Sequence, residues 1–207
     1  MMNNYPFILA SASPRRKELL SSLGITYQIM IPIIDEIELP YESPLDCVRR
    51  LSREKAQSVA YEVDLIQSII LSADTIVSFP SCEDPSIDMI LSKPIDEIHA
   101  REILIMLRST PHKVITGVTL LITGEYPQQV TKAVTTEVYM RAYSDKEVDD
   151  YIKTGSPFDK AGGYAIQDKV FNPVDHIIGS YSNVVGLPIE TVLELLKQVG
   201  YPILMDK

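Results

Sequence analysis

Short apolar runs alternate with amphipathic helical patterns along this chain of 207 residues. The run YPFILA, residues 5–10, has the length and composition of a buried strand. Directly after it, Ser13 and Pro14 are typical of an N-cap followed by proline at the first helical position, which predicts a helix through Leu23 that ends at Gly24. Strands that alternate with helices in this way indicate an α/β fold with a sheet flanked by helices.

The same criteria predict the other elements of the chain. Strands are expected over residues 27–34, within 66–79 as IILSADTIVSF (69–79), and over 112–123 and 129–142, the last two joined by a turn at Gly124. Helices are expected after Ser43-Pro44, over residues 96–108 with Ile98, Ile103 and Met106 or Leu107 facing inward, from the capping box at Ser144 to Thr154, and over residues 188–199. An exposed loop is expected over residues 80–88, and the segment 176–185 is either core strand or dimer surface.

The composition restricts partners and location. Acidic residues exceed basic ones by 28 to 19, a net charge of −9, whereas proteins that bind nucleic-acid backbones need an excess of cations, so we expect no nucleic-acid partner. The apolar runs are too short for a transmembrane helix, so we expect no membrane association. Two cysteines, Cys47 and Cys82, cannot build a disulfide framework, which favours a cytoplasmic protein. Hydrophobic residues make up 45% of the chain, which fits one domain over residues 1–207.

The turn from the first strand into the first helix is the first candidate site. A helix N-terminus offers unpaired backbone N–H groups and the positive end of the helix dipole, which suit a phosphate, and Ser11 and Ser13 add hydroxyl donors. Arg15 and Arg16 occupy the first helical turn, where the dipole disfavours cations. Such a local conflict often marks function. The alternative is a solvated basic turn with an ordinary Ser-Pro cap.

Asp74 is the second candidate, because it interrupts an otherwise apolar strand. A carboxylate there either binds a metal or activates water at the strand end, or is a turn residue between two short strands. Lys55 lies on the apolar spacing of the second helix and is either functional or a surface lysine whose stem covers apolar surface. Lys93 is either functional or an ordinary loop residue. The acidic residues Asp35, Glu36 and Glu38 either bind a metal or are solvated.

A late segment, FDKAGGYAIQ at residues 158–167, contains adjacent glycines. Gly162 and Gly163 permit a positive φ or a close backbone approach. Tyr164 is either a base-stacking residue or a core tyrosine, and the Gln167 amide can both donate to and accept from a base edge.

Taken together, these segments resemble the Maf family of nucleoside-triphosphate pyrophosphatases. The resemblance extends in order along nearly the whole chain and is strongest in SASPRR, SADT and AGGYAIQ. The matching segments are LASASPRRKELL at 9–20, DE at 35–36, REKA at 53–56, SADT at 72–75, KP at 93–94, MLR at 106–108, HKVITGV at 112–118, DKAGGYAIQ at 159–167 and VVGLP at 184–188.

The resemblance implies a fold and a reaction. The fold would be a mixed elongated sheet flanked by helices, with two lobes and a cleft, similar to the inosine-triphosphate pyrophosphatase fold. The reaction would be hydrolysis between the α and β phosphates of a nucleoside triphosphate, giving a monophosphate and pyrophosphate with a divalent metal cation, Mg²⁺ or Mn²⁺, as cofactor. A homodimer is also plausible on this ground.

Residue roles follow from the resemblance position by position. Asp74 would be the catalytic carboxylate and Glu36 would assist it in metal binding. The residues that would hold the phosphates are Ser11, Arg15, Lys55 and Lys93, with Arg16 adding charge beside them. This role set agrees with general chemistry, because a triphosphate needs preorganised cations and Mg²⁺ or Mn²⁺ prefers carboxylate oxygens.

Three residue types bear on the base. Arg15, Thr75 and Gln167 match the branch of the family that acts on dTTP and UTP. The alternatives are a house-cleaning pyrophosphatase for modified nucleotides, such as 7-methyl-GTP or deaminated purines, and a nucleotide-binding regulator of cell division. The carboxylate of Asp74 argues against pure binding, because binding alone would not require it.

Overall fold

The computed structural model describes residues 5–63, 67–81, 84 and 88–202. Strands and helices alternate along the chain, which confirms the α/β class. The strands are β1 (Phe7–Ala10), β2 (Gln28–Met30), β3 (Ile69–Pro80), β4 (Asp88–Leu91), β5 (His112–Ile122), β6 (Gln128–Met140) and β7 (Val174–Ile178). The helices are α1 (Pro14–Ser21), α2 (Pro44–Val63), α3 (Glu97–Ser109), α4 (Asp145–Lys153), α5 (Tyr181–Val185) and α6 (Ile189–Gln198), with 3-10 turns at Ser156–Asp159 and Ala161–Gly163.

The strands form one mixed seven-stranded sheet in the order β2-β1-β3-β5-β6-β7, with β4 paired to β3. Strand β1 is parallel to both of its neighbours, with Ala10 opposite Met30 of β2 and Ser72 of β3. Strands β4 and β7 pair antiparallel to β3 and β6. Because α1 follows β1, it begins beside the carboxyl end of that strand. In α/β folds, ligands bind at the carboxyl ends of parallel strands.

The chain divides into two compact units, the first made of residues 1–74, 116–134 and 186–207, and the second of residues 75–115 and 135–185. The single domain predicted over residues 1–207 stays a prediction.

In the first unit, β3 sends alternate side chains to two faces, as the period of two in a strand requires. Ile69 and Leu71 pack with Leu20 of α1 and Leu195 of α6. Ile70 faces the other way and packs with α2 through side chains that include Val59. Helices therefore cover both faces of this part of the sheet.

In the second unit, the core lies between the sheet and helices α3 and α4. Val77 of β3 and Val114 of β5 pack with Leu104 and Leu107 of α3. Tyr151 of α4 closes the same cluster, where its ring stacks on Phe171 at a centroid distance of 4.3 Å.

Local sequence signals place the starts of two helices, α1 and α4, as predicted. Ser13 is the N-cap of α1, and its hydroxyl accepts from the backbone N–H of Arg16. Ser144 and Glu147 form the predicted reciprocal capping box of α4. These signals depend on residues within one turn of the helix, which is why the sequence reveals them.

Two predictions are wrong, the inward orientation of Ile98 in α3 and the length of β2. Ile98 is 72% exposed, because the inward stripe of α3 is Ala100, Ile103, Leu104 and Leu107, and residue 98 lies about 200° around the helix from residue 100. Strand β2 ends at Met30 rather than residue 34, because its partner β1 ends at Ala10, opposite Met30.

The sequence did not indicate β4, β7 or α5, which are four or five residues long. Residues 176–185, predicted as core strand or dimer surface, contain the end of β7 and helix α5. The residues of β7 are exposed or half-buried, so this strand is not a core strand, and the dimer surface stays a prediction. Most of the loop predicted over 80–88, including Cys82, lies outside the described residues. Among the described residues, no helix is long and apolar enough to cross a membrane.

Candidate active site

The start of α1 carries the first group of predicted site residues. Ser11 follows β1 directly and is 4% exposed. Its hydroxyl oxygen accepts from the backbone N–H of Ser13 at 3.1 Å and from the Arg16 guanidinium at 3.4 Å. Arg15 and Arg16 lie in the first helical turn and are half-buried. Hydrogen bonds to the Ser11 hydroxyl therefore hold this turn in place. The guanidinium groups of Arg15 and Arg16 lie at the N-terminus of α1.

Asp74 lies inside β3, which runs without interruption from Ile69 to Pro80. The alternative of a turn residue between two short strands is therefore wrong. Because side chains alternate along a strand, Asp74 shares a face with Ser72 and Ile70, and that face packs against α2. Asp74 is 4% exposed and needs a partner at this depth.

Lys55 of α2 supplies that partner. It lies on the buried stripe of the helix, beside Ser52 and Ala56, and is 5% exposed, so the surface-lysine alternative is wrong. Its Nζ donates to Oδ1 of Asp74 at 2.6 Å. The hydroxyl of Ser72 donates to the backbone carbonyl of Ser52 at 2.6 Å and ties the same strand to the same helix.

Glu36 completes the cluster from the irregular segment between β2 and α2. Its Oε1 lies 2.7 Å from Nζ of Lys55, so two carboxylates converge on one ammonium group. The Glu36 side chain is 52% exposed, whereas that of Asp74 is 6% exposed. Asp35 and Glu38 are exposed neighbours on the same segment. The cluster therefore has one buried and one solvent-facing carboxylate.

Arg16 belongs to the same electrostatic group. Burial lowers the pKa of its guanidinium, while the charges of Asp74 and Glu36 raise it. Its Nε donates to the backbone carbonyl of Gly186 at 2.8 Å. The segment VVGLP, which carries Gly186, therefore holds a cation beside the two carboxylates.

The remaining predicted site residues belong to the second unit. Thr75 follows Asp74 in β3 and is half-buried, and Lys93 is exposed in the connection between β4 and α3. Gln167 is exposed after the second 3-10 turn. The backbone N–H of Gly162 donates to the carbonyl of Ser92 at 3.4 Å, so the glycine segment packs beside Lys93.

The adjacent glycines have the positive φ that the sequence allowed, +69° at Gly162 and +70° at Gly163. A side chain at Gly162 would begin 2.9 Å from Val77, which shows a close approach as well. Tyr164 is 6% exposed and its hydroxyl lies 2.7 Å from Nε2 of His112. Tyr164 is therefore the core tyrosine of the two alternatives, and base stacking by its ring is wrong.

The carboxylate pair fits a divalent metal ion that arrives with its own ligands. Mg²⁺ and Mn²⁺ take oxygen ligands, and Mg²⁺ in nucleotide sites is held by one or two carboxylates together with substrate phosphates and water. Glu36 and Asp74 supply two such oxygens, both aimed at one cationic group. Over the described part of the chain, no cluster of three or more His, Cys, Asp or Glu could hold an ion. The donor set thus suits a metal–nucleotide complex.

Sequence reasoning missed several groups that position this site. Ser52 and Thr119 join hydroxyls at 3.0 Å beneath it, and Arg50 and Ser58 of α2 hold the segment that carries Glu36. Gly186 lies in a family-matching segment to which the sequence assigned no role. Each of these contacts joins residues that are far apart in the sequence, so no local sequence pattern predicts them.

Comparison with known proteins finds relatives along nearly the whole chain. The family model described as Maf, Maf-like protein, matches residues 6–199. A dTTP/UTP pyrophosphatase of Geobacter sp. (strain M21) is 42% identical over 200 residues, covering 96% of this chain and 98% of that protein. A dTTP/UTP pyrophosphatase of Geotalea uraniireducens is 45% identical over 193 residues, covering 93% of this chain and 94% of that protein.

Among solved structures, a nucleoside-triphosphatase / dITP/XTP pyrophosphatase from Mycobacterium abscessus matches with a TM-score of 0.45 and 11% identity, covering 94% of this chain and 98% of that chain. The family match spans both units, from the strand that precedes α1 to the end of α6. The chain belongs to the Maf family.

Proposed function

We propose that the chain hydrolyses nucleoside triphosphates, with dTTP and UTP preferred, to the nucleoside monophosphate and pyrophosphate. The observation that carries this proposal is the convergence of Asp74 and Glu36 on the Nζ of Lys55, beside Arg16 at the start of α1. Relatives that cover nearly the whole chain are named dTTP/UTP pyrophosphatases, which supports the substrate choice.

The charges of this cluster suit a polyanionic substrate. The chain as a whole carries a net charge of −9, which repels a triphosphate at long range. Arg15 and Arg16 place positive charge at the start of α1 beside the Lys55 cluster, and the backbone N–H groups of that helix end add the positive end of its dipole. Preorganised donors of this kind stabilise the charge that develops on the phosphate oxygens in the transition state.

We assign the acceptance of the water proton to Asp74. The oxygen of a water molecule forms a bond to the α phosphorus, and the bond from that phosphorus to the oxygen that bridges the α and β phosphates breaks. The proton of the water passes to the Asp74 carboxylate, and pyrophosphate leaves. Lys55 orients that carboxylate and balances its charge through the 2.6 Å contact. A positioned general base contributes about 10²- to 10⁴-fold to the rate.

Glu36 and Asp74 would hold the divalent cation, Mg²⁺ or Mn²⁺, which supplies charge neutralisation on the phosphates when bound. Lys93 and Ser11 are assigned to phosphate contact, and Thr75 and Gln167 to the base, as the family resemblance implies. The homodimer and the cytoplasmic location expected from the sequence stay predictions.

Product analysis tests the reaction. Purified protein with Mg²⁺ or Mn²⁺ is given dTTP, and the products are separated by ion-exchange chromatography. We expect dTMP and pyrophosphate in equal amounts, with no dTDP. Accumulation of dTDP and inorganic phosphate would contradict cleavage between the α and β phosphates, and the same preparation with Asp74→Asn controls for contaminating hydrolases.

A further inference from the structure

The segment that carries Glu36, residues 31–42, is held on the protein mainly by side chains of α2. It joins β2 to α2 without helix or strand. Several of its apolar side chains face solvent, with Ile33 83% and Ile37 61% exposed. Burial of apolar surface therefore contributes little to its position, and hydrogen bonds must fix it.

Arg50 makes the most extensive of these attachments. Its guanidinium donates to the backbone carbonyl of Ile37, the residue next to Glu36, at 2.8 Å. It also donates to both carboxylate oxygens of Glu42, at 2.8 Å and 2.6 Å. The Arg50 and Glu42 side chains are 18% and 12% exposed. Because the pair is bidentate and mostly buried, it fixes both the orientation of the Glu42 carboxylate and its distance from Arg50.

The chain bends sharply to bring Glu42 to Arg50. The backbone N–H of Glu42 donates to the carbonyl of Leu39 at 3.2 Å, which closes a tight turn. Tyr41 in this turn has a φ of +63°, a conformation that bulky residues rarely adopt. Such a conformation persists when surrounding contacts hold it, and the Arg50–Glu42 pair is a contact of the residue directly after Tyr41.

Ser58 attaches the other end of the segment. Its hydroxyl accepts from the backbone N–H of Ile33 at 3.0 Å and donates to the carbonyl of the same residue at 3.2 Å. Glu36 thus lies between two attachments of the segment to α2. Ile33, which bonds to Ser58, is three residues before it, and Ile37, which bonds to Arg50, follows it directly. Lys55, which Glu36 contacts, lies on the same helix between Arg50 and Ser58.

We propose that Arg50 is a positioning residue of the active site, which holds the 31–42 segment so that the Glu36 carboxylate faces Lys55 and the bound metal–nucleotide. This inference rests on the proposed function, because it assigns Arg50 its role through Glu36. Arg50 touches no reacting atom and acts by fixing the carbonyl beside Glu36 and the turn beyond it.

Hydrogen exchange tests the positional claim directly, without substrate or metal. In Arg50→Met we expect the hydrogen-bonded amides of residues 31–42, which include those of Ile37 and Glu42, to exchange at least about tenfold faster than in the unaltered protein, while α6 is unchanged. Arg49→Met is the matched control, because Arg49 is one position away on the same helix and its side chain is 41% exposed beside Asp46. Equal exchange over 31–42 in Arg50→Met and Arg49→Met would overturn the proposal.

A double-mutant comparison tests the link to catalysis. We expect Arg50→Met to raise the Mn²⁺ concentration that half-saturates dTTP hydrolysis by about ten- to a hundredfold, as loss of a group that orients a metal ligand does. In a Glu36→Gln background the same substitution should change it by less than about twofold. An effect of equal size in both backgrounds would mean a general structural role and would overturn the proposal.

Arg50→Lys covers the case in which the methionine variant does not fold. Lysine keeps a charge opposite Glu42 but cannot bond its two oxygens and the Ile37 carbonyl in the same fork geometry. We expect faster exchange over 31–42 in this variant too, and exchange as slow as in the unaltered protein would overturn the proposal. If Glu36→Gln alone leaves turnover unchanged, the metal role of Glu36 fails, and the exchange result still decides whether Arg50 holds the segment.

Discussion

The Nζ of Lys55 lies 2.6 Å from Oδ1 of Asp74, and the two side chains are only 7% and 6% exposed. A buried ion pair is costly to break from one side, because the remaining charge loses its partner without regaining water. The Lys55–Asp74 pair holds α2 on β3 and also forms the centre of the proposed site. A substitution in the pair should therefore change both the stability of the first unit and the activity.

Lys55→Met should therefore lower the free energy of unfolding by about 3–5 kcal/mol, because it leaves the Asp74 carboxylate buried without its ammonium partner. Adding Asp74→Asn to that variant should restore part of the loss, because the amide carries no charge. Urea unfolding of both single variants and the double variant measures this. Free-energy losses that simply add would contradict a coupled buried pair.

Gly117 controls how closely β5 approaches α2. A Cβ at this position would lie 2.2 Å from the carbonyl oxygen of Val48, a backbone atom that cannot rotate away. Gly117→Ala should lower the free energy of unfolding by about 3 kcal/mol or more, at the upper end of the usual cost of overpacking.

Gly24→Ala is the matched control for that substitution. Gly24 has a φ of +68°, and a Cβ added there would meet nothing within 4 Å, so the backbone alone opposes the change. The expected cost is about 1–2 kcal/mol. Equal losses in the two variants, measured by urea unfolding, would show that the contact with Val48 is not what requires glycine at position 117.

His112 makes stability depend on pH. Burial lowers the pKa of this imidazole from 6.5 to about 4. Because the unfolded chain then binds the proton more readily, the stabilisation is complete above the unfolded pKa and is lost as the pH falls toward the folded pKa. Between about pH 7 and about pH 4.5 this single group should remove about 2.5 kcal/mol from the free energy of unfolding.

His112→Phe isolates that contribution, because phenylalanine keeps a ring beside Tyr164 and does not titrate. The variant is expected to be less stable at neutral pH, since the Tyr164 hydroxyl loses its 2.7 Å partner. Its loss of stability on acidification should nevertheless be smaller than that of the unaltered protein. An identical pH dependence in the two proteins would contradict a neutral buried imidazole.

Gln167→Glu tests base selection. The amide can both donate and accept, whereas a carboxylate only accepts, so the thymine O4 would lose its donor. We expect the ratio of kcat/KM for dTTP to that for CTP to fall at least about tenfold. Gln198→Glu, an exposed position in α6, is the charge-matched control. A ratio unchanged from the unaltered protein would contradict the role assigned to Gln167.

Local signals explain which parts of this structure the sequence predicted. The caps at Ser13 and Ser144 and the apolar spacing that places Lys55 on the buried face of α2 depend on residues a few positions apart. The sequence also marks Asp74 as a candidate, because a carboxylate inside an apolar run is costly unless it has a function or a partner. That these separate residues form one site is what the resemblance to the family implies, and it stays a prediction.

The supports of the site could not be predicted in the same way. Glu36 reaches Lys55 across an irregular segment, and its path depends on Arg50 and Ser58, which lie on a helix face that looks ordinary in the sequence. Strand β2 ended earlier than its apolar pattern indicated because β1 offers no further partner. Such features are set by tertiary contacts rather than by propensity.

Asp74 is proposed to accept the proton of the attacking water in the hydrolysis of dTTP and UTP. The most direct measurement is pyrophosphate release from dTTP, UTP, CTP, 7-methyl-GTP and dITP, with Mg²⁺ or Mn²⁺, by the unaltered protein beside Asp74→Asn. We predict turnover of dTTP and UTP that falls by about 10²- to 10⁴-fold in the variant while its circular dichroism spectrum is retained. Undiminished turnover by a folded Asp74→Asn protein would show that the Asp74 carboxylate is not the proton acceptor.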